Sequence, residues 1–225
     1  MQCNSFPSPQ LNTRLYLLFI LAIWCLVSAC TPSHLTEDEL KAYVLAQQSL
    51  TKTKESKGFV TQVSYRPVDL LIAQELGRHE AADPSELEHL KKKYIGYHYF
   101  ILSLSSGDKE ALYQAGSGYR RFSDLVQTLS FRMDKYVDMT TSGSDTIQVA
   151  DYVFSPTYGM GGATNLMLVF NKKYTRDDEW IQFNLDEFGL GIGSQTFRFW
   201  RKDLEEIPRI KFVVQFSKKQ ENNNH

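Results

Sequence analysis

The run Tyr97–Leu104 (YHYFILSL) is apolar or aromatic at nearly every position, whichever face of a strand each residue would occupy. Successive side chains of a strand point to opposite faces. A segment without a polar face is stable only when both faces are covered, so this one predicts a central strand with neighbours on its edges and layers packed against it. The rest of the chain must supply those neighbours.

Strand signals are plentiful, above all in the second half. Phe59, Thr61, Val63 and Tyr65 alternate with more polar residues up to Pro67, which has no N–H with which to continue a ladder. Further strands are expected over Ile147–Phe154, Leu166–Phe170, Trp180–Leu185, Gln195–Trp200 and Ile210–Phe216. Stretches containing Pro156, Gly159 to Gly162, Asn171 to Asp178, Gly189 to Gly193 and Pro208 separate them. Helices are expected earlier. Thr36 and Glu39 form a capping box ahead of Leu40, Tyr43, Val44 and Leu50. Val68 to Leu76 ends at Gly77, and Asp83-Pro84-Ser85-Glu86 opens a helix carrying Leu87, Leu90 and Tyr94. Phe122, Leu125, Val126 and Leu129 keep i, i+3, i+4, i+7 spacing. Helices gathered toward the N-terminus and strands after them predict an α+β fold with a largely antiparallel sheet of about six to seven strands.

The first thirty residues belong to a different regime. Arg14 precedes the uncharged run Leu15 to Val27, which is shorter than the roughly 20 residues a membrane-crossing helix needs. A short apolar segment that ends in small residues reads as an export signal. Its last residues, Val27-Ser28-Ala29-Cys30, resemble the lipobox of bacterial lipoproteins. That resemblance implies cleavage after Ala29, a diacylglyceryl thioether on Cys30 and acylation of the new amino group. Two or more acyl chains anchor a protein stably, at about 0.8 kcal/mol per buried CH₂. Trp24 before Cys25 is too bulky for the motif, and Cys3 has no apolar segment before it.

The implied organisation is a cleaved signal over 1–29, a tether over 30–35, one globular domain over 36–216 and a polar, frayed tail over 217–225. The five residues Thr31 to Leu35 reach about 17 Å at full extension, so the domain is expected close to its membrane. Thr31 stands where an aspartate retains some lipoproteins in the inner membrane, so by analogy the outer membrane is expected. Of the three cysteines, processing would leave only Cys30, which excludes a disulfide, cysteine zinc ligands and a cysteine nucleophile. Lys and Arg number 25 against 26 Asp and Glu. That balance gives no basic field for nucleic acid.

Chemistry-bearing patterns are sparse. Gly189-Leu190-Gly191-Ile192-Gly193 leads into a strand, whereas a phosphate cradle leads into a helix N-terminus. Tyr158-Gly159-Met160-Gly161-Gly162 likewise precedes a strand, and its glycines favour positive φ or the close approach of another group. Asp177-Asp178-Glu179 lacks the ligand spacing of a calcium loop and reads as a hairpin turn. Asp186 and Glu187 are adjacent, so on a strand they would point apart and make a poor catalytic pair. His79-Glu80 lacks the second histidine of a zinc protease, His89 belongs to a charged helix face, and Gly116-Ser117-Gly118 is too short for a nucleophile elbow. His98 falls in the central strand and is expected as a core histidine satisfied by one hydrogen bond. No catalytic residue, cofactor or metal is expected.

With 14 Phe, 12 Tyr and 3 Trp the chain is rich in aromatics, which bury large areas and mostly build cores. Exposed Tyr and Trp stack on sugars or anchor partners, which makes Tyr158, Trp180 and Trp200 the ligand-binding candidates. The favoured expectation is a non-catalytic, membrane-anchored domain that binds or scaffolds an envelope protein or glycan. The alternatives are a periplasmic enzyme, a hydrolase for instance, assembling His98, Asp151 and Asp186, or an immunity-type lipoprotein.

Overall fold

Tyr97–Leu104 lies inside a ten-residue strand around which two sheets and six helices are arranged among the described residues. The structure is a computed structural model that describes residues 34–77, 82–114, 118–175 and 177–214. Cys30 and the segment before it lie outside the described residues, as do His79, Glu80, Gly116, Ser117 and the tail from 215. In chain order the elements are β1 (His34–Leu35), α1 (Glu37–Ala46), β2 (Thr51–Ser56), β3 (Phe59–Tyr65), α2 (Val68–Leu76), α3 (Pro84–Tyr94), β4 (Tyr97–Ser106), β5 (Lys109–Glu110), α4 (Ala111–Gln114), α5 (Tyr119–Phe131), β6 (Val137–Thr141), β7 (Thr146–Gln148), β8 (Asp151–Phe154), β9 (Thr164–Asn171), β10 (Trp180–Leu185), β11 (Gln195–Trp200), α6 (Arg201–Glu205) and β12 (Arg209–Ile210).

The first sheet runs β2-β3-β4-β9-β8, with β5 paired to the end of β4, and every pairing is antiparallel. The second runs β11-β10-β6-β7 and is also antiparallel. β1 and β12 form a small parallel pair. The α+β class is as the sequence pattern predicts, with two corrections. The strands divide between two packed sheets, and the helices are not all N-terminal: α4 and α5 follow β5, and α6 follows β11.

Alternation in β4 explains the packing. His98, Phe100, Leu102 and Leu104 point between the sheets, and Tyr99 points to the helix layer. Phe100 is fully buried and has aromatic neighbours on both sheets: Tyr65 at 5.4 Å, Phe170 at 6.1 Å, Phe183 at 5.8 Å and Phe199 at 5.0 Å between ring centroids. Such tilted and edge-on pairs add about 0.5–1.5 kcal/mol each beyond area burial. On the outer face of the first sheet, Leu71, Ile72, Leu87 and Leu90 of α2 and α3 cluster with Tyr99 and Val169.

The local signals hold at the helix ends. Thr36 and Glu39 close their capping box, with Thr36 N–H donating to Glu39 Oε2 at 2.8 Å and Glu39 N–H to Thr36 Oγ1 at 3.3 Å. Asp83 Oδ1 accepts from Ser85 N–H at 2.8 Å, and Pro84 takes the first helical turn. Gly77 ends α2 at φ 69°. Helix α1 stops at Ala46, so Leu50 reaches the core from the following turn rather than from the helix.

Two expected strands are redrawn. Ile147–Phe154 divides into β7 of the second sheet and β8 of the first, because Ile147 faces inward in one phase and Tyr152 and Phe154 in the other. The last strand ends at Ile210. Beyond it, Phe212 and Val214 pack on the helix layer, held by an isolated bridge between Ala82 and Val214.

Candidate functional site

One end of the sandwich carries both glycine-rich turns, and each encloses a carboxylate from the same chain. Glu187 Oε1 accepts from the backbone N–H of Gly189 at 2.8 Å and Gly191 at 2.7 Å, and Oε2 accepts from Gly193 at 2.5 Å. Burial alone would raise the Glu187 pKa, but these amides outweigh it and hold the carboxyl below the ordinary value. Glu110, 2 % exposed, accepts through Oε1 from Gly159 N–H at 2.9 Å, Gly161 N–H at 3.0 Å and the Thr157 hydroxyl. A Cβ at Gly161 would lie 2.5 Å from Thr157 Oγ1, so a side chain cannot be added there without displacing the Thr157 hydroxyl. Both turns are anion cradles, and both are filled.

Tyr158 rides on the Glu110 turn, 73 % exposed and at φ 53°. It stands at the opposite end of the sandwich from Trp180 and Trp200, which are paired across β10 and β11. The three aromatic candidates therefore do not form one site. Two of them do.

Among the described residues, the outer face of the second sheet has no helix layer like that of the first. Its inward positions are buried, while Asp138, Thr140, Gln182 and Asn184 are half-buried and Thr196, Arg198 and Trp200 exposed. A chain of hydrogen bonds crosses this face in one direction. Arg198 Nη2 donates to Gln182 Oε1 at 3.0 Å, Gln182 Nε2 to Asn184 Oδ1 at 3.0 Å, and Asn184 Nδ2 to Asp138 Oδ1 at 2.6 Å. The guanidinium also lies 3.9 Å from the Trp180 ring centroid, a stacking arrangement. Trp200, 40 % exposed, borders a cleft of about 450 Å³ with Glu179, Lys202 and Asp203. The face thus combines fixed amides, a guanidinium and a carboxylate with exposed indole surface.

Residues considered for catalysis are dispersed. His98 points between the sheets, opposite Phe170, whereas exposed Asp151 pairs with Val169, whose side chain points the other way. Asp186 is exposed past the end of β10, and its neighbour Glu187 is engaged in its turn. His98 Nε2 lies 2.8 Å from Thr175 Oγ1. The Thr175 hydroxyl donates to Lys172 O at 3.0 Å, so its oxygen accepts from His98 Nε2–H and leaves Nδ1 as a bare lone pair. Burial, then the Lys172 charge, lowers the His98 pKa to about 3, so the ring is neutral. Asp178 ties two turns together, accepting from the Ser142 hydroxyl at 2.9 Å and Gly143 N–H at 2.8 Å. Among the described residues no group of three or more His, Cys, Asp or Glu could hold a metal ion, and no helix is long and apolar enough to cross a membrane.

No family model matches the chain, and no curated protein matches it. Among solved structures it is similar to a novel protein of unknown function from Burkholderia pseudomallei, at 10 % identity over 79 % of this chain and 96 % of that one. The TM-score of 0.38 is too low for that likeness to carry an argument.

Proposed function

We propose that this chain is a non-catalytic lipoprotein of the cell envelope, anchored through Cys30 in the outer membrane, whose folded domain binds a glycan on the open face of the second sheet. The observation that carries the binding half is the cross-strand pair Trp180 and Trp200 beside the ordered row Arg198, Gln182, Asn184 and Asp138. Sugar rings present an apolar face that stacks on indole, and hydroxyls that bond to amides, guanidinium and carboxylate. Groups already fixed by their neighbours lose little freedom on binding. The anchoring half rests on Val27-Ser28-Ala29-Cys30, after which the first capped helix starts within a few residues.

An array of bacterial envelope glycans probed with the full chain tests the first half. At least one glycan should bind, and Trp200→Ala should weaken it tenfold or more; no bound glycan, or an unchanged affinity in the variant, overturns the reading. For the anchor, Cys30→Ser should abolish metabolic lipid labelling and release the protein from membranes.

A further inference from the structure

The end of the sandwich opposite the glycine turns holds a cavity of about 520 Å³ that the glycan reading does not use. The ends of β3, β4 and β9, the Lys172–Tyr174 turn and α6 surround it. Its charges are not balanced. Arg201 Nη1 pairs with Glu205 at 3.1 Å, and in the adjoining cleft Arg209 Nη1 meets Asp69 at 3.5 Å. Lys173 sits 5.0 Å over the Tyr174 ring. Lys172, half-buried, has neither a salt bridge nor a side-chain hydrogen bond among the described residues. Burial, then Arg209, holds its pKa below the ordinary lysine value, with Glu205 only partly offsetting them. A desolvated cation without a counter-ion is costly unless something pairs with it.

Two further polar groups in the lining lack partners. Tyr65 is 4 % exposed and borders both the cavity and the adjoining cleft, and its hydroxyl makes no hydrogen bond among the described residues. His98, 7 % exposed, lines the same wall with Nδ1 unpartnered. Lys172 and Tyr65 border both the cavity and the adjoining cleft, Arg201 lines the first and Arg209 the second, and the apolar boundary of the cavity is Ile95, Tyr97 and Leu204.

We propose that this cavity binds a small oxyanion, a phosphate or carboxylate group on a molecule whose remainder packs against Ile95, Tyr97 and Leu204, with Lys172 as counter-ion and the Tyr65 hydroxyl as donor. The cavity shares Arg201 and Glu205 with the Trp200 cleft, but Lys172 and Tyr65 border neither that cleft nor the polar row of the second sheet, so the two readings are tested by different residues.

Calorimetric titration of the full chain in detergent with inorganic phosphate and, separately, with acetate, at ionic strength held constant with chloride, tests it. One or both anions should bind the wild-type chain. Lys172→Met should weaken that binding about ten- to a hundredfold, the loss of one charge-assisted hydrogen bond. In chloride alone the variant should melt no lower than the wild-type chain, because it removes an uncompensated charge. Phosphate-only binding assigns the group as phosphate and acetate-only binding as carboxylate. Absence of binding by both, or equal affinities in the two proteins, overturns the proposal. Should Lys172→Met fail to fold, Tyr65→Phe carries the test: it keeps the ring and should weaken anion binding several-fold, and an unchanged affinity counts against the site.

Discussion

The two ends of the sandwich treat charge in opposite ways. At one end, Glu110 and Glu187 fill the two glycine-rich turns, and backbone amides surround each carboxylate. At the other, among the described residues, Lys172 has no salt bridge, the Tyr65 hydroxyl makes no hydrogen bond and His98 has a bare Nδ1. A glycine-rich turn is the pattern that suggests an anion site from sequence, and here it marks the end where anions are already supplied internally. An end whose carboxylates are satisfied holds structure together; an end that leaves a cation unpaired has interaction energy to give to a ligand.

Glu110→Ala should produce the largest effect on this contrast. It strips the acceptor from two part-buried amides and a hydroxyl, and with water able to replace part of each bond a loss of about 2 kcal/mol is expected in urea melts. A loss below about 1 kcal/mol would mean that the turn holds itself without its carboxylate, and the contrast would fail.

His98 sharpens the open end through pH. Its folded pKa, lowered to about 3 by burial and then by Lys172, lies below the unfolded value of about 6.5. Between those values the unfolded chain binds more protons, so stability falls as pH drops from 6.5 toward 3, by up to about 1.4 kcal/mol per unit. His98→Gln should remove this component of the slope between pH 6.5 and 5, measured as the difference from the wild-type chain. An identical slope would place the ring in contact with solvent.

Glu187→Gln should cost less, about 1 kcal/mol or below at pH 7, because solvent screens this turn. The carboxyl is held below its ordinary value, so its contribution is present above pH 4.5 and is lost as pH falls further. The variant should therefore converge with the wild-type chain in acid. On the open face, Trp200→Ala should change stability by no more than about 0.5 kcal/mol, since Trp200 is 40 % exposed. A larger loss would make that indole a packing residue rather than a binding one.

Legibility followed side-chain period. Phe59, Thr61, Val63 and Tyr65, and the alternating runs of β10 and β11, face where their pattern says, because one face of each is dry. β2, with the sequence TKTKES, carries no apolar alternation. It is an edge strand, and its hydrogen bonds to β3 make it one. The division of Ile147–Phe154 was present as a phase slip at Val149 and Ala150, but a slip of phase does not say that the chain is changing sheets. Of the candidate residues, Trp180 and Trp200 could be seen to flank strands, yet their pairing depends on the register of β10 with β11. Neither Lys172 nor Tyr65 carried a signal as a site residue, since each is ordinary until its neighbours are known.

By itself, the sequence determined the class of fold, the helix caps and the position of the central strand, because those depend on side-chain period and on hydrogen bonds within a few residues. Only the tertiary structure decided that the strands form two sheets, that the Gly159–Gly161 turn closes on Glu110, and that Lys172 has no partner among the described residues. Compensation of charge is a property of what surrounds a group in space: Glu187 meets its amides within a few residues, but those that hold Glu110 belong to Gly159 and Gly161, far along the chain.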